Sequence, residues 1–115
     1  MDKSDIQTAR KLIDTLCEEM EREAPLHNVQ LFLHIAEAQA TDREVDVRAL
    51  QESSGLTSAA CSRALGAIGE WSYKNRPGLD LVTSRADYSD RRRKVMVLTK
   101  TGEKLANKIT RILGR

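Results

Sequence analysis

Aromatic residues are almost missing from this sequence of 115 residues: one Trp, one Phe and two Tyr. Base-stacking RNA platforms and aromatic ligand cages are built from more than that, so neither is expected. Cysteine is scarce too. Cys17 and Cys61 lie far apart, with no Cys-x-x-Cys spacing, as two free thiols in a reducing compartment would. Histidine is limited to His27 and His34. The two share a helical face, but without a carboxylate or thiol at matching spacing they make a poor metal site. A polar core or interface pair is the better reading. No apolar run approaches the roughly 18 residues of a membrane span. The opening stretch MDKSDIQTARK lacks a signal peptide's apolar segment, so a cytoplasmic protein without a membrane partner is expected. No nucleophile–base pair, phosphate-cradling glycine loop or metal cluster stands out. An enzyme is therefore the least expected class, and no cofactor is called for.

What is present describes one folded domain. The length suits a single core and is too short for two. Hydrophobic residues at 40% and charged residues at 31% are a globular balance rather than a disordered one. The net charge of +2 hides an asymmetry: residues 1–56 carry 6 Lys/Arg against 12 Asp/Glu, and residues 57–115 carry 13 against 5. A basic half joined to an acidic half suits a nucleic-acid binder with a separate assembly half, although a charged face is more often merely solvated.

Periodicity places five helices. Ser4 and Gln7 have capping-box spacing, and Ile6, Ala9, Ile13, Leu16, Cys17 and Met20 recur at helical spacing, predicting a first helix over 5–23. Cys17 falls on its apolar face, where a free thiol behaves as a small hydrophobe. Pro25 suits a first helical turn, and the broad apolar arc that follows predicts a central core helix over 25–39. A short strand is expected around Val45. Asp46 caps a third helix over 47–54, and Gly55 ends it. Thr57 caps a fourth, over 58–72, with Cys61, Ala64, Leu65 and Ile68 inward. The third and fourth helices, joined by a short glycine turn, have helix-turn-helix spacing. A turn over 73–78, a strand from Leu79 to Arg85, a polar loop over 86–93 and a strand from Lys94 to Leu98 make a basic hairpin. Thr99 caps a last helix over 100–113, with Leu105, Ala106, Ile109, Ile112 and Leu113 as its apolar stripe.

The fold class that results is mainly α with a small β-hairpin: a winged helix-turn-helix with flanking helices. At this point the residues resemble a known family. LQESSGLTSAACSRALGAI is similar to the helix-turn-helix of the MarR (multiple antibiotic resistance regulator) family. LVTSRADYSDRRRKVMVLTKTGEKL is similar to that family's strand, wing, strand and following helix, with Asp90-x-Arg92, then Leu98-Thr99 and Gly102, as the telling spacing. The resemblance implies a homodimeric regulator of transcription that binds double-stranded DNA; a nucleoid-associated repressor acting by occupancy is the expected form, although the direction of regulation does not follow from sequence. The fourth helix would enter the major groove and the wing a flanking minor groove. Arg92 would be the minor-groove arginine, with Asp90 holding the wing or the arginine in place. A small-molecule effector bound between the dimer helices and the DNA-binding lobe is compatible with the family and stays unspecified.

The residues add their own argument. With Cys61, Leu65 and Ile68 inward, Ser58, Ala59, Ser62, Arg63 and Gly66 turn outward. Ser58, Ser62 and Arg63 suit phosphate or base edges, Ala59 and Ala60 thymine methyls, and Thr57 a phosphate at the helix start. Few bidentate donors are on offer, so affinity is expected to lean on Arg91, Arg92, Arg93 and Lys94 and on a narrow A·T-rich minor groove. The DNA-binding lobe is expected to span 44–98. Residues 1–24 and 100–115 each carry an apolar stripe that so small a core leaves uncovered, which predicts dimerisation through Ile6, Ile13, Leu16, Leu105, Ile109 and Ile112. Two departures from the family are visible. Little chain follows Thr99, and WSYKNRPGLD is longer than the usual turn before the wing strand, offering Trp71 to the core or Lys74 and Arg76 to DNA. The rival reading is a winged-helix protein-interaction module whose wing meets an acidic protein surface.

Overall fold

Caps decide where most of the helices begin. In a computed structural model, which describes residues 1–70, 76–87, 89–90 and 92–114, helix α1 spans Lys3–Glu19. The Asp2 carboxylate accepts from Ser4 N at 2.7 Å and Asp5 N at 3.3 Å, so the cap lies two residues before the expected Ser4. A charged acceptor at the positive end of the helix is the stronger choice. α1 also stops short of the expected residue 23, because Met20 leaves the helix and is buried in the core. Helix α2 (Leu26–Ala40) starts just after Pro25, which stays extended and accepts from Asn28 N at 2.9 Å. Strand β1 is Val45–Asp46 and helix α3 is Val47–Ser54. Asp46 caps α3 through Ala49 N at 2.8 Å, and Gly55 ends it at φ +72°, a left-handed conformation that favours glycine.

Helix α4 (Ser58–Ile68) is capped by Thr57, whose hydroxyl oxygen accepts from Ala60 N at 3.1 Å. It ends earlier than periodicity suggests, and so does the reach of the following strand. Leu79 to Leu81 were expected to open the wing strand, but strand β2 is Val82–Ala86. The reason is the end of α4. Its last carbonyls lack helical partners, and the next segment supplies them: Leu79 N donates to Ala67 O, Leu81 N to Ile68 O, Asp80 N to Gly69 O and Gly78 N to Glu70 O, all within 3.0 Å. Strand β3 is Lys94–Leu98 and helix α5 is Lys100–Ile112, both as expected within a residue. The antiparallel sheet has the order β1-β3-β2, with Asp46 opposite Val95 and Ala86 opposite Lys94.

The Leu98-Thr99 and Gly102 spacing now has a physical cause. Thr99 caps α5 through Gly102 N at 3.1 Å, gives its N–H to Leu81 O at 3.0 Å and its hydroxyl to Asp80 O at 2.6 Å. The first turn of α5 is thereby pressed onto the backbone before β2. A Cβ on Gly102 would sit 2.0 Å from the Leu81 carbonyl oxygen, so only glycine permits the approach.

α2 is the central helix, with Leu31, Phe32 and Ile35 fully buried in one core with Leu50 of α3, Cys61 and Ile68 of α4, and Val82 and Met96 of the sheet. α1 and α5 pack against each other within one chain, joined by an ion pair of Glu19 with Lys108. This corrects part of the expected dimer surface: Leu16 and Leu105 are buried in the chain's own core. Ile6 and Ile13 are not; they stand 56% and 50% exposed on the first turns of α1. Ile109 and Ile112 are half-buried. No helix among the described residues is long and apolar enough to cross a membrane.

Candidate nucleic-acid interface

Periodicity gives α4 two unlike faces. Cys61, Ala64, Leu65 and Ile68 are buried, while Ser58, Ala59, Ser62 and Arg63 are exposed and Ala60 and Gly66 half-buried. The outward face is thus the one the sequence implies, and it is slender and weakly polar. Thr57 spends its oxygen on the cap and keeps its hydroxyl hydrogen. Cys61 has no chemistry to offer here, since burial pushes its thiol above the ordinary value and disfavours the reactive thiolate.

An open groove of about 870 Å³ joins this helix to the wing. It is lined by Ser62 and Gly66 of α4, Thr83 and Ser84 of β2, and Asp90, Arg92, Arg93 and Lys94 of the wing. The wing turn itself is built by Asp90, which accepts from Arg92 N at 3.0 Å with its carboxylate and from Arg93 N at 3.0 Å with its carbonyl. Asp90 therefore shapes the turn rather than pairing with the Arg92 guanidinium. Arg92 and Lys94 are exposed, and neither side chain has an ion-pair partner among the described residues. Arg91, expected beside them, lies outside the described residues, as do Trp71 and Lys74. Arg76 is exposed.

Arg93 differs from its neighbours. Its side chain is only 32% exposed, with Nε donating to Asp46 at 2.8 Å and Nη1 to Asp87 at 3.0 Å. Sequence reasoning placed Arg93 with the DNA contacts; the fold turns its guanidinium back onto carboxylates at the wing root. Beside it, Arg85 of β2 pairs with Glu44 at 2.7 Å. Asp87 was missed entirely. Its carboxylate accepts from Ser89 Oγ at 2.6 Å and Ser89 N at 2.9 Å, and these bonds, with Arg93, hold its carboxyl down at about 2. The Ala49 N–H and then Arg93 likewise lower Asp46, and Asp46 and Asp87 in turn raise Arg93. An Asp-x-Ser pair is a recognisable side-chain turn, so Asp87-x-Ser89 was legible as such. Its pairing with Arg93 was not. Among the described residues no group of three or more His, Cys, Asp or Glu is placed to hold a metal ion.

No protein-family model matches the sequence, and no curated protein matches it. Solved structures do. MepR of S. aureus in complex with DNA is similar over 93% of this chain and 73% of its own, with a TM-score of 0.68 at 19% identity. The heme sensor protein PefR from Streptococcus agalactiae, in complex with heme, is similar over 93% of this chain and 66% of its own, at 0.62 and 17%. A mutant MarR from E. coli complexed with operator DNA is similar over 94% of this chain and 69% of its own, at 0.60 and 15%. At such identities the likeness shows the fold, a MarR-like winged helix.

Proposed function

We propose that the chain is a double-stranded DNA-binding regulator of transcription. It works as a homodimer that places α4 in the major groove and the wing in a flanking minor groove, and represses by occupying its site. The observation that carries the reading is the open groove that brings Ser62 and Gly66 of α4 together with exposed Arg92 and Lys94, neither of which has an ion-pair partner among the described residues. An α-helix with small outward side chains can sit deep against base edges. Arginine at a hairpin tip suits the negative potential of a narrow minor groove. Two of the similar structures, MepR and MarR, are themselves complexes with DNA.

The dimer is supported by α1. Its first turns carry exposed Ile6 and Ile13 one heptad apart and bury little within their own chain. A helix so poorly packed is marginal in water, and a second copy would cover the stripe together with half-buried Ile109 and Ile112 and exposed Leu113. Leu16 and Leu105 are not part of that surface. Two-fold pairing would set the two α4 helices on half-sites about one DNA turn apart.

Selection of bound sequences from random duplex DNA tests this reading. The expected product is a pseudo-palindrome with A·T-rich flanks. Enrichment of nothing over the starting pool at low salt, with a protein partner recovered from lysate instead, would favour the protein-interaction module.

A further inference from the structure

The run Arg91–Lys94 reads in sequence as a set of equivalent cations. The fold makes Arg93 a different kind of residue. The sheet register sets Ala86 opposite Lys94, so the next rung puts Asp87 across from Arg93. On the other side, β1 sets Asp46 opposite Val95, which leaves Arg93 one diagonal step away and within reach of a long side chain. Both carboxylates are already fixed by their own elements. Asp46 holds Ala49 N at the start of α3, and Asp87 holds Ser89 at the start of the wing turn. One planar guanidinium spans the two, a geometry that an ammonium point charge does not reproduce.

We propose that Arg93 is a positioning residue, which sets the angle of the wing against the helix-turn-helix by bridging the α3 cap Asp46 and the wing-root Asp87. The proposal rests on the DNA-binding reading for its purpose, since what it positions is exposed Arg92, the adjacent residue. It reverses the role that the sequence suggests for Arg93 itself. To reach a phosphate, Arg93 has to abandon both carboxylates and Glu44, whose carboxylate lies 4.0 Å from its Nη1. The Glu44–Arg85 pair runs alongside as a second tie between the loop before β1 and β2.

Charge and positioning make opposite forecasts, which is what permits a test. Asp87→Asn and Asp46→Asn each remove a negative charge near the phosphate backbone, and asparagine keeps the α3 cap. If the carboxylates acted on DNA only through their charge, both variants would bind duplex more tightly. The strut requires weaker binding, about tenfold for Asp87→Asn and for Arg93→Gln, within the range expected when a groove arginine loses its contact. The double variant should be no worse than either single one. The salt slope should fall alike in Asp87→Asn and Arg93→Gln, because both displace Arg92, whereas a direct phosphate contact by Arg93 would lower it in Arg93→Gln alone. Arg93→Lys, able to pair with one carboxylate at a time, should recover part of the loss.

Amide exchange in the free protein gives a DNA-independent reading. In Asp87→Asn and Arg93→Gln the Arg92 and Arg93 N–H groups should exchange faster, with those of α4 unchanged. Tighter binding by Asp87→Asn, a slope reduced in Arg93→Gln but not in Asp87→Asn, or unaltered exchange at Arg92 and Arg93 overturns the proposal. A wild type that ignores duplex DNA sinks the functional reading instead, and the exchange rates then decide whether the strut exists.

Discussion

Replacing Gly102 with alanine puts a methyl group 2.0 Å from the carbonyl oxygen of Leu81 and 3.3 Å from a Leu98 methyl. On helix propensity alone the change should help, by about 1 kcal/mol. The contact opposes it. If α5 is pushed back, the bonds from Thr99 N to Leu81 O at 3.0 Å and from Thr99 Oγ1 to Asp80 O at 2.6 Å part, at about 1 kcal/mol each. If α5 stays, the overpacked contact costs about 1–3 kcal/mol in strain. Set against the propensity gain, the first route leaves a net loss of about 1 kcal/mol and the second one of up to about 2 kcal/mol. For a domain of this size that lowers Tm by roughly 4–10 °C. Thermal unfolding followed by circular dichroism reads the difference, with Asn107→Ala on the exposed face of the same helix as the control that gains propensity and meets nothing. A Gly102→Ala protein that melts at or above the wild-type temperature would refute the close approach of α5 to the Leu81 carbonyl, and with it the explanation of the Thr99–Gly102 spacing.

Four further outcomes follow from the structure. Arg92→Ala should weaken duplex binding strongly and lower the salt slope by about one unit per wing, while Arg63→Ala should relax sequence preference at one position by about 1–3 kcal/mol; anisotropy titrations on matched and mutated duplexes check both. The Asp87 carboxyl, depressed from 3.8 to about 2, contributes stability that is complete above 3.8 and is lost as pH falls toward 2. NMR titration of the side-chain carbon should therefore give a midpoint near 2, rising more in Ser89→Ala than in Arg93→Gln, and a midpoint at the ordinary value would remove the wing-root bonds from the account. Ile13→Glu should convert dimer to monomer in sedimentation with the helical signal of the remaining elements intact; an unchanged sedimentation coefficient would acquit the α1 stripe.

The helices were legible because their signals are local. A 3.6-residue apolar period, a capping Asp or Thr and a glycine at φ +72° all act within a few residues, and α3 and α5 fell within a residue of expectation. The start of the wing strand was not legible. Leu79 to Leu81 alternate as a strand would, but their N–H groups are taken by the carbonyls that end α4, which only the folded chain brings near. The same limit governs the site. The outward set on α4 came from periodicity, whereas the split of the basic run into exposed Arg92 and paired Arg93 depends on the pairing of β3 with both β1 and β2. A stripe on each terminal helix was read correctly as apolar. That Leu16 and Leu105 would be buried in their own chain while Ile6 and Ile13 stay exposed required knowing that α1 and α5 meet within one molecule.

As proposed, a dimer grips duplex DNA through α4 and an arginine-tipped wing. Titration of the chain against a selected duplex over a series of salt concentrations addresses it directly. Two chains should bind per duplex, with a log K that falls against log salt with a slope steeper than about −5, as several displaced phosphate counterions require. A chain that stays monomeric and leaves the duplex unbound at low salt, or binds with a flat salt response, contradicts it.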